Sequence, residues 1–231
     1  IALNQADVED DEIDTLEEIL QEIAQHGVFK AAYNAVLETR AGGKITEMLA
    51  EKLPDISDDL LKFFHDRLKV HLRDEGIRHD VIDACLAKEG NDDLLRVVKR
   101  AEALSVLLAT DDGENLIQGF KRANNILSQA EEKDGVEYSF GADVKLAETE
   151  EERALFAALG TAEAAIAPAL ESDDFGAAMV AMAGLRAPVD AFFEAVQVNS
   201  ENDIVRRNRL NLLNGIRNVC GSVADLTYLE G

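Results

Sequence analysis

A series of helix start signals constrains the fold of this chain more than any other feature of its sequence. Each signal is a polar cap residue followed by acidic residues, at Ser57-Asp58-Asp59, Asn91-Asp92-Asp93, Thr149-Glu150-Glu151 and Ser172-Asp173-Asp174. A cap side chain accepts free N–H groups of the first helical turn, and acidic residues there complement the helix dipole. Apolar residues at spacings of three and four follow these signals, so the sequence predicts a set of amphipathic helices.

Residue usage supports an all-α fold. Alanine and leucine dominate over the β-branched and aromatic residues that strands prefer, and 47% of the 231 residues are hydrophobic. We predict two adjoining helical bundles that divide at the break Thr110-Asp111-Asp112-Gly113, with a helical body region at residues 1–110 and a second bundle at residues 111–231. No uninterrupted apolar run reaches the roughly 18 residues that a membrane span requires, so we expect no membrane contact.

Individual helices follow from the same signals. One is predicted at residues 13–23, and one after Ser57 that ends at Gly76 and turns these side chains inward: Leu60, Phe63, Phe64, Leu68 and Leu72. Others are predicted from near His79, from about 114 to 130, after Thr149, after Ser172 and from 200 to about 226. In the helix predicted after Asn91, one face should hold Leu94, Leu95, Val98, Ala101 and Leu104. Residues 131–146 are predicted as a connection of unassigned structure.

Motifs for metal binding or catalysis are weak. The pairs His65-Asp66 and His79-Asp80 would suit a metal-dependent phosphohydrolase only if further ligands converged on the same ion. Neighbours on one helix point about 100 degrees apart, which argues against such a site. We therefore interpret both pairs as structural and predict no metal site and no catalytic residue. An acid hydrolase that uses these pairs remains an alternative, and it requires bound metal.

The cysteines and the first residues indicate the compartment. Cys85 and Cys220 lie far apart in the sequence, without a histidine or cysteine at ligand spacing, so we expect two buried thiols in a reducing cytoplasm. The chain opens at Ile1 with neither an initiator methionine nor the features of a signal peptide. We therefore expect a fragment of a longer protein.

Positive charge is concentrated at the end of a strongly acidic chain. The formal net charge is −23, yet the last 28 residues hold four arginines against two acids. A cationic helix in an anionic chain suggests contact with a negatively charged partner. The remaining acidic surface would repel RNA, so an acidic helical protein-interaction module without RNA binding is the alternative hypothesis.

Four strings, taken in their order and spacing, carry a family resemblance. They are FFHDRLKVHLRDEGIRHDVIDACLA (63–87), KRANNIL (121–127), LRAPVDAFFEAVQV (185–198) and RRNRLNLLNGIRNVCGSVADLTYLEG (206–231). From about residue 55 onward, the chain resembles the carboxyl-terminal part of the beta subunit of bacterial glycyl-tRNA synthetase. The resemblance implies that residues 111–231 form a helical anticodon-binding domain of the DALR type, preceded by helices of the subunit body.

The resemblance also carries expectations about activity and partners. The family's holoenzyme is a class II glycine–tRNA ligase, a heterotetramer of two alpha and two beta subunits. Its alpha subunit uses ATP and Mg to form glycyl-adenylate, and its beta subunit recognises the tRNA. This implies that the fragment itself is non-catalytic and holds no cofactor, that its partners are glycine tRNA and the alpha subunit, and that it is cytoplasmic.

Basic and amide side chains are the candidates for tRNA contact. Single-stranded bases are read by stacking on aromatic or guanidinium planes and by hydrogen bonds to base edges, while lysine and arginine hold phosphates. Together with the resemblance, this chemistry singles out Lys121, Arg122, Asn124, Asn125, Arg186, Arg206, Arg207, Arg209, Asn211 and Arg217.

Two of these candidates have open alternatives. Arg186 can form an ordinary helical ion pair with Asp190, four residues on. Arg209 projects toward the apolar side of the last helix, where it either reaches past the core edge or pairs with an acid. The apolar side itself is predicted to comprise Val205, Leu212, Leu213, Ile216, Val219, Cys220 and Val223.

Overall fold

The computed structural model describes residues 44–230, with side-chain surroundings from residue 59 onward. The helices are α1 (Lys44–Asp74), α2 (His79–Leu86), α3 (Leu94–Leu108), α4 (Asp111–Asp134), α5 (Glu150–Glu171), α6 (Phe175–Ala183), α7 (Arg186–Ala195) and α8 (Asp203–Gly221). Short 3-10 turns lie at Val144–Leu146 and Leu226–Tyr228. Residues 44–230 contain no strand, which confirms the all-α class. The helix predicted at residues 13–23 lies outside the described residues.

Three predicted helix starts are confirmed by capping hydrogen bonds. Asp93 and Asp174 each accept a first-turn N–H, at the starts of α3 and α6. Ahead of α5, the Thr149 hydroxyl accepts the N–H of Glu152, and the Glu152 carboxylate accepts the N–H of Thr149. Thr110, predicted only as a break, caps α4, which begins at Asp111 rather than near residue 114. Because each cap satisfies otherwise free donors, each is worth about 1 kcal/mol.

Helix α1 differs from its prediction in both start and orientation. It begins at Lys44 and continues through Ser57, so the predicted helix start at Ser57 was wrong. Of the side chains predicted to face inward, Leu72 is buried and Leu68 is half-buried, whereas others stay exposed: Leu60 at 52%, Phe63 at 52% and Phe64 at 43%. Helical spacing marks an apolar face, but it carries no information about which part of that face a neighbour covers.

The inward face of helix α3 is confirmed in part, since Ala101 and Leu104 are buried and Leu94 and Val98 are half-buried. Leu95 is 64% exposed, while the buried positions are Val97, Arg100, Ala101, Leu104 and Leu107. Arg100 enters the core because its guanidinium lies 5.2 Å from the centre of the Phe175 ring and donates to the carbonyl of Cys85 at 3.2 Å. The prediction thus missed the burial of Arg100 and placed Leu95 inward, where it faces solvent.

Helices α4, α5 and α8 organise the packing. α5 contacts α6, α7 and α8, and α8 also packs on α4, which in turn contacts α3 and α7. The apolar faces of the packed helices form one core, with Leu155, Phe192 and Leu210 among its fully buried side chains. At Gly215 a Cβ atom would lie 2.9 Å from Cδ1 of Leu159, so the missing side chain lets α8 approach α5 closely.

The end of the described chain packs against α2. The N–H of Asp225 donates to the carbonyl of Ala84 at 3.0 Å. Asp80, only 2% exposed, accepts the N–H of Glu230 at 2.8 Å and forms an ion pair with Arg78. Burial by itself raises the pKa of Asp80, but the hydrogen bonds from Arg78 and Glu230 outweigh it and hold this pKa below its usual value. The chain end is therefore fixed by charge-assisted hydrogen bonds.

The described residues divide into two units, residues 44–62 and residues 63–230. The predicted boundary between residues 110 and 111 falls inside the later unit, at the turn between α3 and α4. As a division of function, that boundary stays a prediction.

Two helical stretches, Glu150–Glu171 and Phe175–Ala195, are long and apolar enough to cross a membrane by length and composition. The sequence search for an uninterrupted apolar run did not detect them, because their hydropathy comes from alanines interspersed with polar residues. Both stretches contribute side chains to the core, and α5 buries the charged Glu152 in an ion pair.

Candidate nucleic-acid interface

Helix α8 has the apolar side that its sequence predicts. All the side chains predicted for that side are buried: Val205, Leu212, Leu213, Ile216, Val219, Cys220 and Val223. Burial extends onto the polar side, where Asn208, Asn211 and Asn214 are 4%, 7% and 5% exposed. Much of the polar side of α8 therefore contacts other parts of the chain rather than open solvent.

Arg209 forms a buried ion pair across two helices. Its side chain is 8% exposed and pairs with Glu152 of α5, which is fully buried. The same guanidinium donates to the carbonyl of Gln197 at 3.0 Å and to Glu148 at 3.0 Å. Of the two alternatives for Arg209, pairing with an acid is thus the one observed. Arg209 is occupied inside the fold, although it was predicted as a tRNA contact.

Arg206 and Arg217 bind acids at the end of α4. Arg217 holds Glu131 by two hydrogen bonds of 3.0 Å, and Arg206 lies 2.7 Å from Asp134. Hydrogen bonds from Arg217 lower the pKa of Glu131, and those from Tyr138 and Arg206 lower the pKa of Asp134. Both arginines therefore contribute to holding α8 against α4.

The same network positions residues 135–149, which we name the connecting segment. Tyr138 donates its hydroxyl to Asp134 at 2.6 Å, and its backbone N–H donates to Glu131 at 3.2 Å. Asn208 of α8 accepts the N–H of Asp143 at 2.7 Å and donates to its carbonyl at 3.1 Å. Of the residues 131–146 left unassigned from sequence, residues 131–134 belong to α4, and the following residues are held along α8 by side-chain hydrogen bonds.

Arg207 takes a different position from the other arginines of α8. It is exposed, and its guanidinium lies 5.7 Å from the centre of the Phe140 ring. Phe140, on the connecting segment, is 82% exposed. Among the ion pairs of the described residues, none involves Arg207. The Arg207–Phe140 stack thus presents a cation and an aromatic ring to solvent, the combination that binds single-stranded nucleic acid.

A surface groove of about 270 Å³ runs between α5 and α8 beside this stack. We name it the α5–α8 groove, and its lining includes Gly141, Phe156, Gly160, Glu163, Asn211 and Asn218. Asn211 lies four residues after Arg207 and Asn218 seven after Asn211, so all three share one side of α8. The groove is accordingly continuous with the side of α8 that carries the stack.

The remaining candidates lie on α4 and α7. The Arg122 guanidinium lies 4.4 Å from the centre of the Phe193 ring, and both residues border one shallow pocket. Arg186 pairs with Asp190 at 2.9 Å and with Asp112 at 3.4 Å, so the helical ion pair considered for it is present. Lys121 and Asn124 are half-buried, and Asn125 is exposed. The structure therefore separates an α4–α7 group from the α8 group, and tRNA contact by either stays a prediction.

The His-Asp pairs do not assemble a site. The His65 ring nitrogen Nε2 lies 2.7 Å from the carbonyl of Asn91, and His79 lies 3.5 Å from Glu230. Among residues 59–230, no group of three or more His, Cys, Asp or Glu side chains has a geometry suited to a metal ion. Cys85 and Cys220 are buried as expected, and burial raises the pKa of each thiol to about 12.

Sequence reasoning missed the partners that decide what each arginine does. Phe140, Glu131, Asp134 and Glu152 were not predicted as site residues, because each meets its arginine only through the fold. The capping pattern at Thr149 was a signal for Glu152, because the side chain at the third position of such a helix bonds back to the backbone N–H of the cap residue. For Phe140, the available signal is an aromatic residue in an acidic, glycine-containing connection.

Comparison with known proteins finds a matching domain family and several similar sequences. Residues 116–227 match the DALR anticodon binding domain. The chain is 76% identical over 174 residues to the glycine–tRNA ligase beta subunit of Dinoroseobacter shibae, covering 75% of this chain and 24% of that protein. The beta subunits of Paracoccus denitrificans and Rhodospirillum centenum are 63% and 49% identical, over 80% and 76% of this chain and 27% and 25% of those proteins. The chain thus spans about a quarter of the length of these relatives.

Proposed function

We propose that the chain binds the anticodon region of glycine tRNA, because residues 116–227 match the DALR anticodon binding domain. In this role it acts as the tRNA-recognition part of a glycine–tRNA ligase. The domain match is the main support for the proposal, and the high identity to glycine–tRNA ligase beta subunits indicates which tRNA is bound. The Arg207–Phe140 stack supports it independently, because it is chemically suited to unpaired bases.

The wider enzyme follows as part of the same proposal. The chain works within a class II ligase, a heterotetramer of two alpha and two beta subunits in the cytoplasm. The alpha subunit uses ATP and Mg to activate glycine, and this chain itself holds no cofactor and carries out no catalysis. The similarity to proteins named as beta subunits supports an alpha partner.

The net charge of −23 limits how tightly the chain alone can hold RNA. Phosphate neutralisation drives most non-specific affinity, and three of the four arginines from residue 204 onward already bind acids of the chain: Arg206, Arg209 and Arg217. We therefore propose that specificity comes from the exposed side of α8, and that other parts of the enzyme supply most of the electrostatic attraction.

Fluorescence anisotropy tests the proposal directly. The 231-residue chain is titrated at low salt against labelled glycine tRNA and against the same tRNA with a substituted anticodon. We expect tighter binding to the natural anticodon. Equal affinity for both tRNAs would contradict the proposal, and absence of RNA binding at any salt would favour the acidic protein-interaction module instead.

A matched pair of variants locates the contact. Phe140→Ala and Arg207→Ala should each weaken tRNA binding, by about 1–3 kcal/mol for loss of a stacked base. The control is the stack of Arg67 on Phe63 in α1, where the guanidinium lies 5.4 Å from the ring centre and the ring is also exposed. Phe63→Ala and Arg67→Ala should leave the affinity unchanged, because they lie before the anticodon-binding domain.

A further inference from the structure

We propose that the α5–α8 groove binds one unpaired nucleobase that carries an exocyclic amino group, and that Asn211 reads this base. The inference rests on the proposed function, since it assigns a base-binding subsite within the anticodon contact. It differs from the Arg207–Phe140 stack, which offers a platform without base preference.

The first observation is an amide without a partner. Asn211 is 93% buried (7% exposed), it lines the groove, and its Oδ1 atom has no hydrogen-bond donor. Buried polar atoms in folded proteins are nearly always hydrogen-bonded, so an unsatisfied amide oxygen calls for a donor from outside the fold. The Oδ1 atom itself is enclosed, and because the terminal torsion of asparagine is soft, the amide can rotate to meet a donor that enters the groove.

The second observation is that the groove is rich in acceptors. Glu163 contributes a carboxylate from the α5 side, opposite Asn211 and Asn218 on α8. The Asn214 oxygen is already engaged by Arg217 at 3.0 Å, which leaves the buried oxygen of Asn211 and the exposed oxygens of Asn218 and Glu163 as acceptors in the groove. An exocyclic amino group supplies two donors, and carboxylate and amide oxygens are its usual protein acceptors. Uracil lacks such a group.

Charge and shape agree with a base rather than a phosphate. Glu163 would repel a phosphate inside the groove, whereas Arg207 lies on the same side of α8 and can hold the backbone outside. A volume of about 270 Å³ lies just below the range of drug-sized sites, so it suits a single ring system. Phe156 lines the groove and is 37% exposed, which offers an apolar wall for the ring.

Gly160 keeps this space open. A Cβ atom built on Gly160 would have no atom within 4 Å, and the residue lines the groove in the middle of α5. A long side chain there fills the groove, and it also improves helix propensity because glycine is a poor helix former. Gly160→Met therefore blocks the site without the risk to folding that a change at the buried Asn211 carries.

The experiment uses two labelled RNA hairpins that differ only in loop sequence, cytidines in one and uridines in the other. These bases differ at one position, where cytosine has an amino group and uracil an oxygen. The 231-residue chain should bind the cytidine loop about tenfold more tightly. Asn211→Leu and Gly160→Met should both abolish this preference, while Gly221→Met, which also adds a side chain into open space but outside the groove, should retain it.

The outcomes separate the inference from the proposed function. If the wild-type chain discriminates anticodons on glycine tRNA but binds both hairpins equally, or if Gly160→Met keeps the preference, the groove is not the base subsite and the inference is overturned alone. If the wild-type chain shows no anticodon dependence, the proposed function fails and the inference fails with it. Circular dichroism checks that each variant is folded. If Asn211→Leu does not fold, the base preference of Gly160→Met decides the test.

Discussion

Replacing Arg209 by methionine should destabilise the fold far more than the same change at Arg207. Arg209 is 8% exposed and its partner Glu152 is fully buried, so Arg209→Met leaves a carboxylate in the core without its counter-charge. Breaking a buried ion pair in this way costs about 3–5 kcal/mol. Glu152 keeps hydrogen bonds from the N–H groups of Glu148 and Thr149, at 2.6 and 2.8 Å, which places the expected loss near the lower end, about 3 kcal/mol.

Urea denaturation followed by far-UV circular dichroism measures this loss. Arg207→Met is the matched control, because Arg207 is exposed and should change the free energy of unfolding by no more than about 0.5 kcal/mol. Adding Glu152→Gln to Arg209→Met removes the stranded charge while keeping an amide oxygen for the capping box, so the double variant should recover more than about half of the loss.

The pH dependence gives a second measure of the same pair. Burial by itself raises the pKa of Glu152, but the hydrogen bonds from Arg209 and the backbone outweigh it, so the folded-state pKa lies below its usual value. The stabilisation is therefore complete above the unfolded pKa of about 4.3 and is lost as pH falls through the folded pKa. Without Arg209, burial raises the pKa of Glu152 instead, and protonation relieves the variant. The difference between wild type and Arg209→Met should shrink from pH 7 toward about pH 4.

Two results would refute this reasoning. One is a loss below about 1 kcal/mol for Arg209→Met at neutral pH, which would mean that the pair is accessible to water. The other is a difference that does not change between neutral and acidic pH, which would mean that Glu152 is not the stranded charge.

Three further predictions concern other parts of the fold. Glu131→Gln should lower the free energy of unfolding by about 1–2 kcal/mol and raise hydrogen exchange in residues 135–149, since Arg217 loses its charged partner. Gly113→Ala should lower the melting temperature because its Cβ would lie 2.1 Å from the carbonyl oxygen of Leu107, whereas Gly160→Ala should raise stability by about 0.5–1 kcal/mol. Cys85 and Cys220 should react with thiol reagents only at the rate of unfolding, because both are buried with pKa values of about 12.

Each of these has a result that would contradict it. Unchanged hydrogen exchange in the connecting segment would contradict the prediction for Glu131→Gln. A melting temperature equal to that of Gly160→Ala would contradict the prediction for Gly113→Ala. Fast labelling of either cysteine under native conditions would show that the core around it opens readily.

The helices of this fold could be predicted from sequence because their signals are local. The cap at Asp93, the capping box at Thr149 and the cap at Asp174 each depend on residues within one turn, and all three are confirmed. The apolar side of α8 is also a local property, since it follows from spacing along one helix. Where the signal depended on a neighbour, as for the exposed Phe63 of α1, the prediction was wrong.

The candidate site was less accessible to sequence reasoning, because charge does not reveal its partner. Helical spacing separates Arg209, which projects toward the apolar side, but it does not show that among Arg206, Arg207 and Arg217 only Arg207 presents its guanidinium to solvent on an exposed ring. The difference arises from acids that lie 57 to 86 residues away in the chain, which the packing of α4, α5 and α8 brings close. No spacing rule within α8 encodes that outcome.

The engagement of α8 arginines by carboxylates of the same chain has a thermodynamic consequence. An arginine that already neutralises an internal acid is not free to neutralise an RNA phosphate, so it releases few of the cations condensed on the RNA. Among the candidates, the cations without an ion pair in the described part of the chain are Lys121, Arg122 and Arg207. At about 0.7 ions per neutralised phosphate on single-stranded RNA, these would give a slope near −2 for the logarithm of affinity against the logarithm of salt concentration. Binding by this domain should therefore be shallow in its response to ionic strength, with affinity governed by the fit of the bases.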